Sequence, residues 1–142
     1  MKYDVFLSHS SKDKSDVDRV RDELTGLGYR VCVDYDVLPA IRPEDVTRET
    51  ANALVEAMRD CSSLIYVLSP GSASSQWMPW EMGFFYGANG TVFIWPVDGE
   101  AEAYAKDRRY VDLYAKIPVE GRREFLEEFL PREARPKVVA CP

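Results

Sequence analysis

Histidine and cysteine are scarce in this chain, no glycine-rich phosphate loop is present, and basic residues are missing from its centre. His9 is the only histidine among 142 residues, and the three cysteines, Cys32, Cys61 and Cys141, are an odd number with no CxxC spacing. Neither a disulfide framework nor a zinc site is expected from that set, and the sparing use of cysteine fits a reducing, cytoplasmic setting. The longest apolar stretches, around Leu64 to Leu68 and Val92 to Val97, are far too short to span a bilayer. The N-terminus enters a strand with no apolar leader, so neither a membrane partner nor export is expected. A net charge of -6 argues against nonspecific nucleic-acid binding, which needs a basic face to displace counterions from phosphates. Residues 61–99 hold no Lys or Arg and two acids, whereas residues 1–60 hold 9 basic against 13 acidic residues and residues 100–142 hold 9 against 9. The middle third therefore reads as core, and the outer thirds as solvated helix faces and loops.

What is present is an alternation of strands and helices. Tyr3 to Ser8 reads as a strand, and Ser10, Ser11, Lys12 and Asp13 break it before a helix from about Ser15. Val17, Val20, Leu24 and Leu27 recur at spacings of three and four, and Gly28 stands where a left-handed helix end is expected. Arg30 to Asp34 forms a second strand, Tyr35 to Pro43 a long loop with two prolines, and Val46 to Met58 a helix. Few packed anchors in that loop predict that it is mobile. Ser63 to Leu68 is almost continuously apolar, as a parallel strand covered on both faces should be, and Ser69-Pro70-Gly71-Ser72 ends it. A third helix is predicted over Trp77 to Tyr86 with Trp80, Phe84, Phe85 and Tyr86 in the core, then a strand over Thr91 to Val97. Asp98 to Arg109 reads as a polar connection, Val111 to Ile117 as a short edge strand, and Arg122 to Leu130 as a last helix with Phe125, Leu126 and Phe129 facing inward. This pattern predicts one α/β domain over residues 1–130, with residues 131–142 as a tail. Its expected form is a flavodoxin-like, doubly wound parallel sheet, strand order 2-1-3-4-5, with helices on both faces. Ligands bind such sheets beyond the carboxyl ends of the strands, where strand order reverses.

Between Asp60 and Asp98 the one charged side chain is Glu81, set in the run Ser75-Gln76-Trp77-Met78-Pro79-Trp80-Glu81-Met82-Gly83-Phe84-Phe85-Tyr86. An ionised carboxylate is almost never buried alone, so Glu81 is expected either to reach solvent or to line a pocket. Trp77 and Glu81 are four apart and share a helix face that Phe85 extends, so the indole and carboxylate are placed to meet one ligand.

The opening Asp4-Val5-Phe6-Leu7-Ser8-His9-Ser10-Ser11-Lys12-Asp13 resembles the first conserved box of TIR domains. The resemblance continues through Leu27 to Asp34, the long loop after it, and Trp77 to Glu81, and fades after about residue 100. The Pro79 to Gly83 run is most similar to stand-alone bacterial TIR proteins, including those of Thoeris-type antiphage systems. The resemblance implies an enzyme that takes NAD as substrate and needs no cofactor or metal. It would split the nicotinamide-ribose bond and make ADP-ribose or a cyclic ADP-ribose-type signal, read by a separate effector protein. It implies Glu81 as the catalytic residue, Ser8, His9 and Trp77 in substrate binding, and Tyr35, Asp36 and Arg42 in a loop that gates the pocket and builds TIR-TIR contacts. The loop from Tyr35 lacks the family's usual central glycine, and hydrolysis versus cyclisation stays open. So do two other readings: a noncatalytic adaptor working by self-association, and an enzyme like the nucleoside deoxyribosyltransferases, with Glu81 as nucleophile.

Overall fold

The computed structural model describes residues 3–10, 13–33, 47–72, 77–105, 111 and 113–132, without the side chains of Trp77, Tyr104 and Ala105. Five parallel strands lie in the order β2-β1-β3-β4-β5: β1 Tyr3–Ser8, β2 Val31–Val33, β3 Cys61–Leu68, β4 Val92–Pro96 and β5 Ala115–Lys116. Among the described residues, helices include α1 Lys14–Gly26, α2 Arg48–Arg59, α3 Trp77–Ala88, α4 Gly99–Ala105 and α5 Arg122–Phe129. The predicted strand order is the observed one, with β3 central.

Side chains alternate along each strand, so the apolar strands feed two cores. Val5, Leu7, Ile65, Val67, Phe93 and Trp95 pack with Val17, Val20 and Leu24 of α1 and Leu126 of α5. Phe6, Leu64, Tyr66, Leu68 and Ile94 face the other way, onto Leu54 and Met58 of α2 and Met78, Met82 and Phe85 of α3. Burial of each large apolar side chain contributes about 1.5–3 kcal/mol, which makes these two layers the main source of stability. The helix ends follow local chemistry. Thr47 and Thr50 form a reciprocal capping box that starts α2, and Gly28 takes the expected left-handed conformation after α1, with φ +90°.

Several expectations are corrected. The connection after β4 contains helix α4, started where Asp98 Oδ1 accepts the Ala101 N–H at 2.8 Å. Its seven residues are too few to show an apolar period, so its polarity reads as loop in sequence. Only Ala115–Lys116 forms β5, and buried Val111 stands outside it. Phe129 is 53% exposed and rests on Phe125, 4.7 Å between ring centroids, instead of entering the core. In α3, Phe85 is buried as expected, but Trp80 and Tyr86 are exposed at 39% and 54% and Phe84 is half-buried. They stand off the inward face that Met78, Met82 and Phe85 define. The loop expected to be mobile, Tyr35 to Arg42, and the tail from residue 133 lie outside the described residues.

Cys32 and Cys61 are buried free thiols. A hydrogen bond with Cys32, together with burial, pushes the Cys61 thiol well above the ordinary range. Thiols held protonated in apolar surroundings are inert. Native-state alkylation at neutral pH, mapped by mass spectrometry, should therefore leave Cys32 and Cys61 unmodified until the chain unfolds, and rapid labelling of Cys61 in the folded protein would contradict this environment.

Candidate active site

Strand order reverses at β1, which is flanked by β2 on one side and β3 on the other. Ser8 ends β1, in register with Tyr66 of β3, and is fully buried. Its hydroxyl donates to Glu81 Oε1 at 2.7 Å. Glu81 comes from the inward face of α3, with Met78, Met82 and Phe85, and is 0% exposed. Of the two expectations for this carboxylate, exposure to solvent is therefore excluded. Met78, Glu81, Met82 and Phe85 stand at i, i+3, i+4 and i+7, so the helical period that builds the core also drives the carboxylate inward.

The magnitudes make this placement informative. Moving a carboxylate out of water costs several kcal/mol even after relaxation. A hydrogen bond to a charged group offsets about 1.5–3 kcal/mol of that. An apolar residue at position 81 would fill the same stripe without the penalty. A desolvated carboxylate at the ligand edge of a doubly wound sheet is the arrangement by which proteins prepare an electrostatic or proton-transfer group.

The neighbouring loops are tied together. His9 and Ser10 follow Ser8 and are buried. Asp13 Oδ2 accepts from Ser69 Oγ at 2.6 Å and from the Gly71 N–H at 2.7 Å, linking the segment after β1 to the turn after β3. A cavity of about 270 Å³, lined by Leu68, Ser69, Pro70, Asp98, Glu100 and Ala101, opens at the carboxyl ends of β3 and β4. It lies toward β4, whereas Ser8 and Glu81 meet on the β1 side of β3. Among the described residues no group of three or more His, Cys, Asp or Glu could hold a metal ion.

Of the residues singled out in the sequence, the structure thus joins Ser8 to Glu81, and His9, next in the chain after Ser8, is buried. Trp77 opens α3 four positions before Glu81, with its side chain outside the description. Tyr35, Asp36 and Arg42 also lie outside it. Sequence reasoning placed Ser8 against substrate and missed the Ser8-Glu81 bond, because nothing in a sequence says that positions 73 apart meet. It also passed over Asp13, Ser69 and Gly71 as site residues, although the acid of the opening box and the turn after the third strand were both visible.

A model of the TIR domain matches residues 5–127, and the chain belongs to that family. It is 42% identical over 95 residues to a Bacillus cereus (strain MSX-D12) protein named "Probable 3′ cyclic ADP-D-ribose synthase ThsB′", covering 67% of this chain and 49% of that one. A Cytobacillus dafuensis protein, provisionally named a cyclic ADP-D-ribose synthase TIR2, is 26% identical over 101 residues, covering 70% of this chain and 27% of its own length. The chain therefore spans about half the length, or less, of these curated relatives. Among solved structures, the TIR domain of the Toll-related receptor TRR-2 from Hydra magnipapillata superposes with a TM-score of 0.58 at 13% identity, over 89% of this chain and 93% of that one, a likeness of fold alone.

Proposed function

We propose that this TIR domain consumes NAD, cleaving the bond between nicotinamide and ribose with Glu81 as the catalytic carboxylate, in bacterial antiphage defence of the Thoeris type. The observation that carries the reading is the buried Glu81 carboxylate, held by Ser8 where the strand order reverses. The relatives' names, both for cyclic ADP-D-ribose synthesis, favour a cyclic product over simple hydrolysis.

The chemistry suits one carboxylate. As the C1′–N bond breaks, its electron pair leaves with the pyridinium ring, which departs as neutral nicotinamide and needs no general acid. That differs from an ordinary glycoside, whose leaving oxygen calls for a second carboxyl group. Positive charge builds on C1′ and the ring oxygen, and an ionised Glu81 beside the ribose stabilises it, most strongly where water is excluded. Water captures C1′ and loses a proton to give ADP-ribose, or a nucleophile within the same ADP-ribosyl group does so and gives a cyclic isomer. Ser8 orients the carboxylate. His9 and the opening residue of α3, Trp77, border the same edge, and Tyr35, Asp36 and Arg42 complete the gate and the contacts between copies. The product is read by a separate effector protein in the cytoplasm.

Glu81 is screened from solvent in the described conformation, so a nucleotide reaches it only after that edge rearranges. Self-association supplies such a rearrangement if neighbouring copies complete the site. Incubation with NAD across a dilution series should give free nicotinamide with ADP-ribose or a cyclic isomer, and specific activity should rise steeply with protein concentration. Constant specific activity down to a demonstrated monomer would reject the assembly requirement. No turnover at any concentration or with any cell-derived trigger would reject the enzyme. The same burial favours a second reading, a noncatalytic adaptor in which the Ser8-Glu81 bond only ties α3 to the sheet. That reading requires Glu81→Gln to alter self-association while neither protein consumes NAD.

A further inference from the structure

We propose that Asp13 is a positioning residue for the reaction proposed above, on which this inference rests: its carboxylate locks the turn after β3 to the segment after β1 and so sets where α3 presents Glu81. Asp13 is the N-cap residue of α1, yet its side chain makes no capping hydrogen bond. An aspartate in that position ordinarily turns its carboxylate to the first helical N–H groups and stabilises the helix by about 1 kcal/mol. Here the backbone carbonyl alone receives the helix, from the Asp16 and Val17 N–H groups at 3.1 Å each. The carboxylate is directed outward instead, and one oxygen, Oδ2, takes both Ser69 Oγ and the Gly71 N–H. The forgone cap is exchanged for two charge-assisted bonds across more than 50 positions, which are about twice as strong as neutral ones.

Gly71 fits this role through space. A Cβ there would lie 2.4 Å from Asp13 Oδ2 and 2.9 Å from Ser10 Oγ, far inside contact distance. Only glycine lets the two loops approach this closely. The turn that Asp13 holds is closed on itself: Ser72 Oγ donates to the Ser69 carbonyl at 2.7 Å and accepts from the Ser69 N–H at 3.2 Å, and the Ser72 N–H reaches the same carbonyl at 3.0 Å. Fixing one point of such a turn fixes all of it. Two ties thus run from the end of β1 and the segment after it, Ser8 to Glu81 in α3 and Asp13 to Ser69 and Gly71 in the turn that precedes α3 in the chain.

The test is a cycle of Asp13→Ala, Asp13→Asn, Gly71→Ala and the Asp13→Ala/Gly71→Ala double variant. Displacing a reacting group by about 1 Å costs up to a hundredfold in rate. Asp13→Ala should accordingly lower kcat about ten- to a hundredfold per folded molecule, with the KM for NAD within about threefold. Asp13→Asn, whose amide oxygen can accept both bonds without the charge, should recover part of the loss. Gly71→Ala should resemble Asp13→Ala, and in the Asp13→Ala background it should cost much less than alone, because its closest clash, with Oδ2, is gone and only the Ser10 hydroxyl has to turn aside. Hydrogen exchange of the peptide containing Gly71 should accelerate in Asp13→Ala and Gly71→Ala and much less in Asp13→Asn. A purely structural role would lower melting temperature and leave kcat per folded molecule unchanged, which overturns the proposal, as would additive losses in the cycle. If Asp13→Ala does not fold, Asp13→Asn and Gly71→Ala carry the same comparison. A parent that consumes no NAD defeats the proposed function. The clamp is then decided by exchange alone: faster exchange confined to the turn upholds it, and unchanged exchange at Gly71 overturns it.

Discussion

Glu81→Gln should abolish nicotinamide release, with a loss of about a thousandfold or more in rate, while leaving the fold intact. The amide keeps the volume and keeps an oxygen for the Ser8 hydroxyl, so what disappears is the charge that the proposed mechanism uses to stabilise the ribosyl cation. Removal of a principal electrostatic stabiliser is worth about 4 kcal/mol of barrier, the scale of that loss. Because Glu81 is fully buried, the same substitution removes a desolvated charge, and melting temperature should hold or rise. A lower activity with a higher or equal melting temperature is a pairing that a purely structural glutamate does not give. Turnover of Glu81→Gln near that of the parent, under conditions where the parent is active, would end the catalytic assignment.

The sequence was most legible where one rule acts alone. Continuous apolar character marked β3 and β4 as central parallel strands, because strands covered on both faces have no polar side to show. The three- and four-residue spacing of Val17, Val20 and Leu24 placed α1. A single charge in an apolar third of the chain drew attention to Glu81, since a carboxylate is expensive to bury. Legibility failed where the answer depends on which distant segments meet. The Ser8-Glu81 and Asp13-Gly71 contacts join positions 73 and 58 apart, and only the crossover geometry of the sheet brings them together. It failed again in α3, apolar on nearly every side, where composition predicted burial for Trp80 and Tyr86 and the orientation of the helix leaves them exposed. Short polar helices such as α4 were hidden because seven residues hold too little periodicity to oppose a loop reading.

The Ser8-Glu81 bond makes the second large prediction, because it links stability and rate through one hydroxyl. Ser8→Ala deletes the donor and leaves the carboxylate oxygen in place, buried, with its hydration still lost. The expected cost is about 2–3 kcal/mol, the upper range for a hydrogen bond to a charged group. In a domain of this size that corresponds to a fall of roughly 5–10 °C in melting temperature. Without the hydroxyl the carboxylate is no longer held at one position, and nicotinamide release per folded molecule should fall as well. The decisive comparison is the double variant. If Ser8 acts through the Glu81 charge, Ser8→Ala should cost much less in the Glu81→Gln background, where no desolvated charge is left to strand, and Ser8→Ala/Glu81→Gln should melt above Ser8→Ala alone. Equal costs in the two backgrounds would show that the hydroxyl stabilises the chain independently of the carboxylate, and the description of Ser8 as the residue that holds the reacting group would have to be given up.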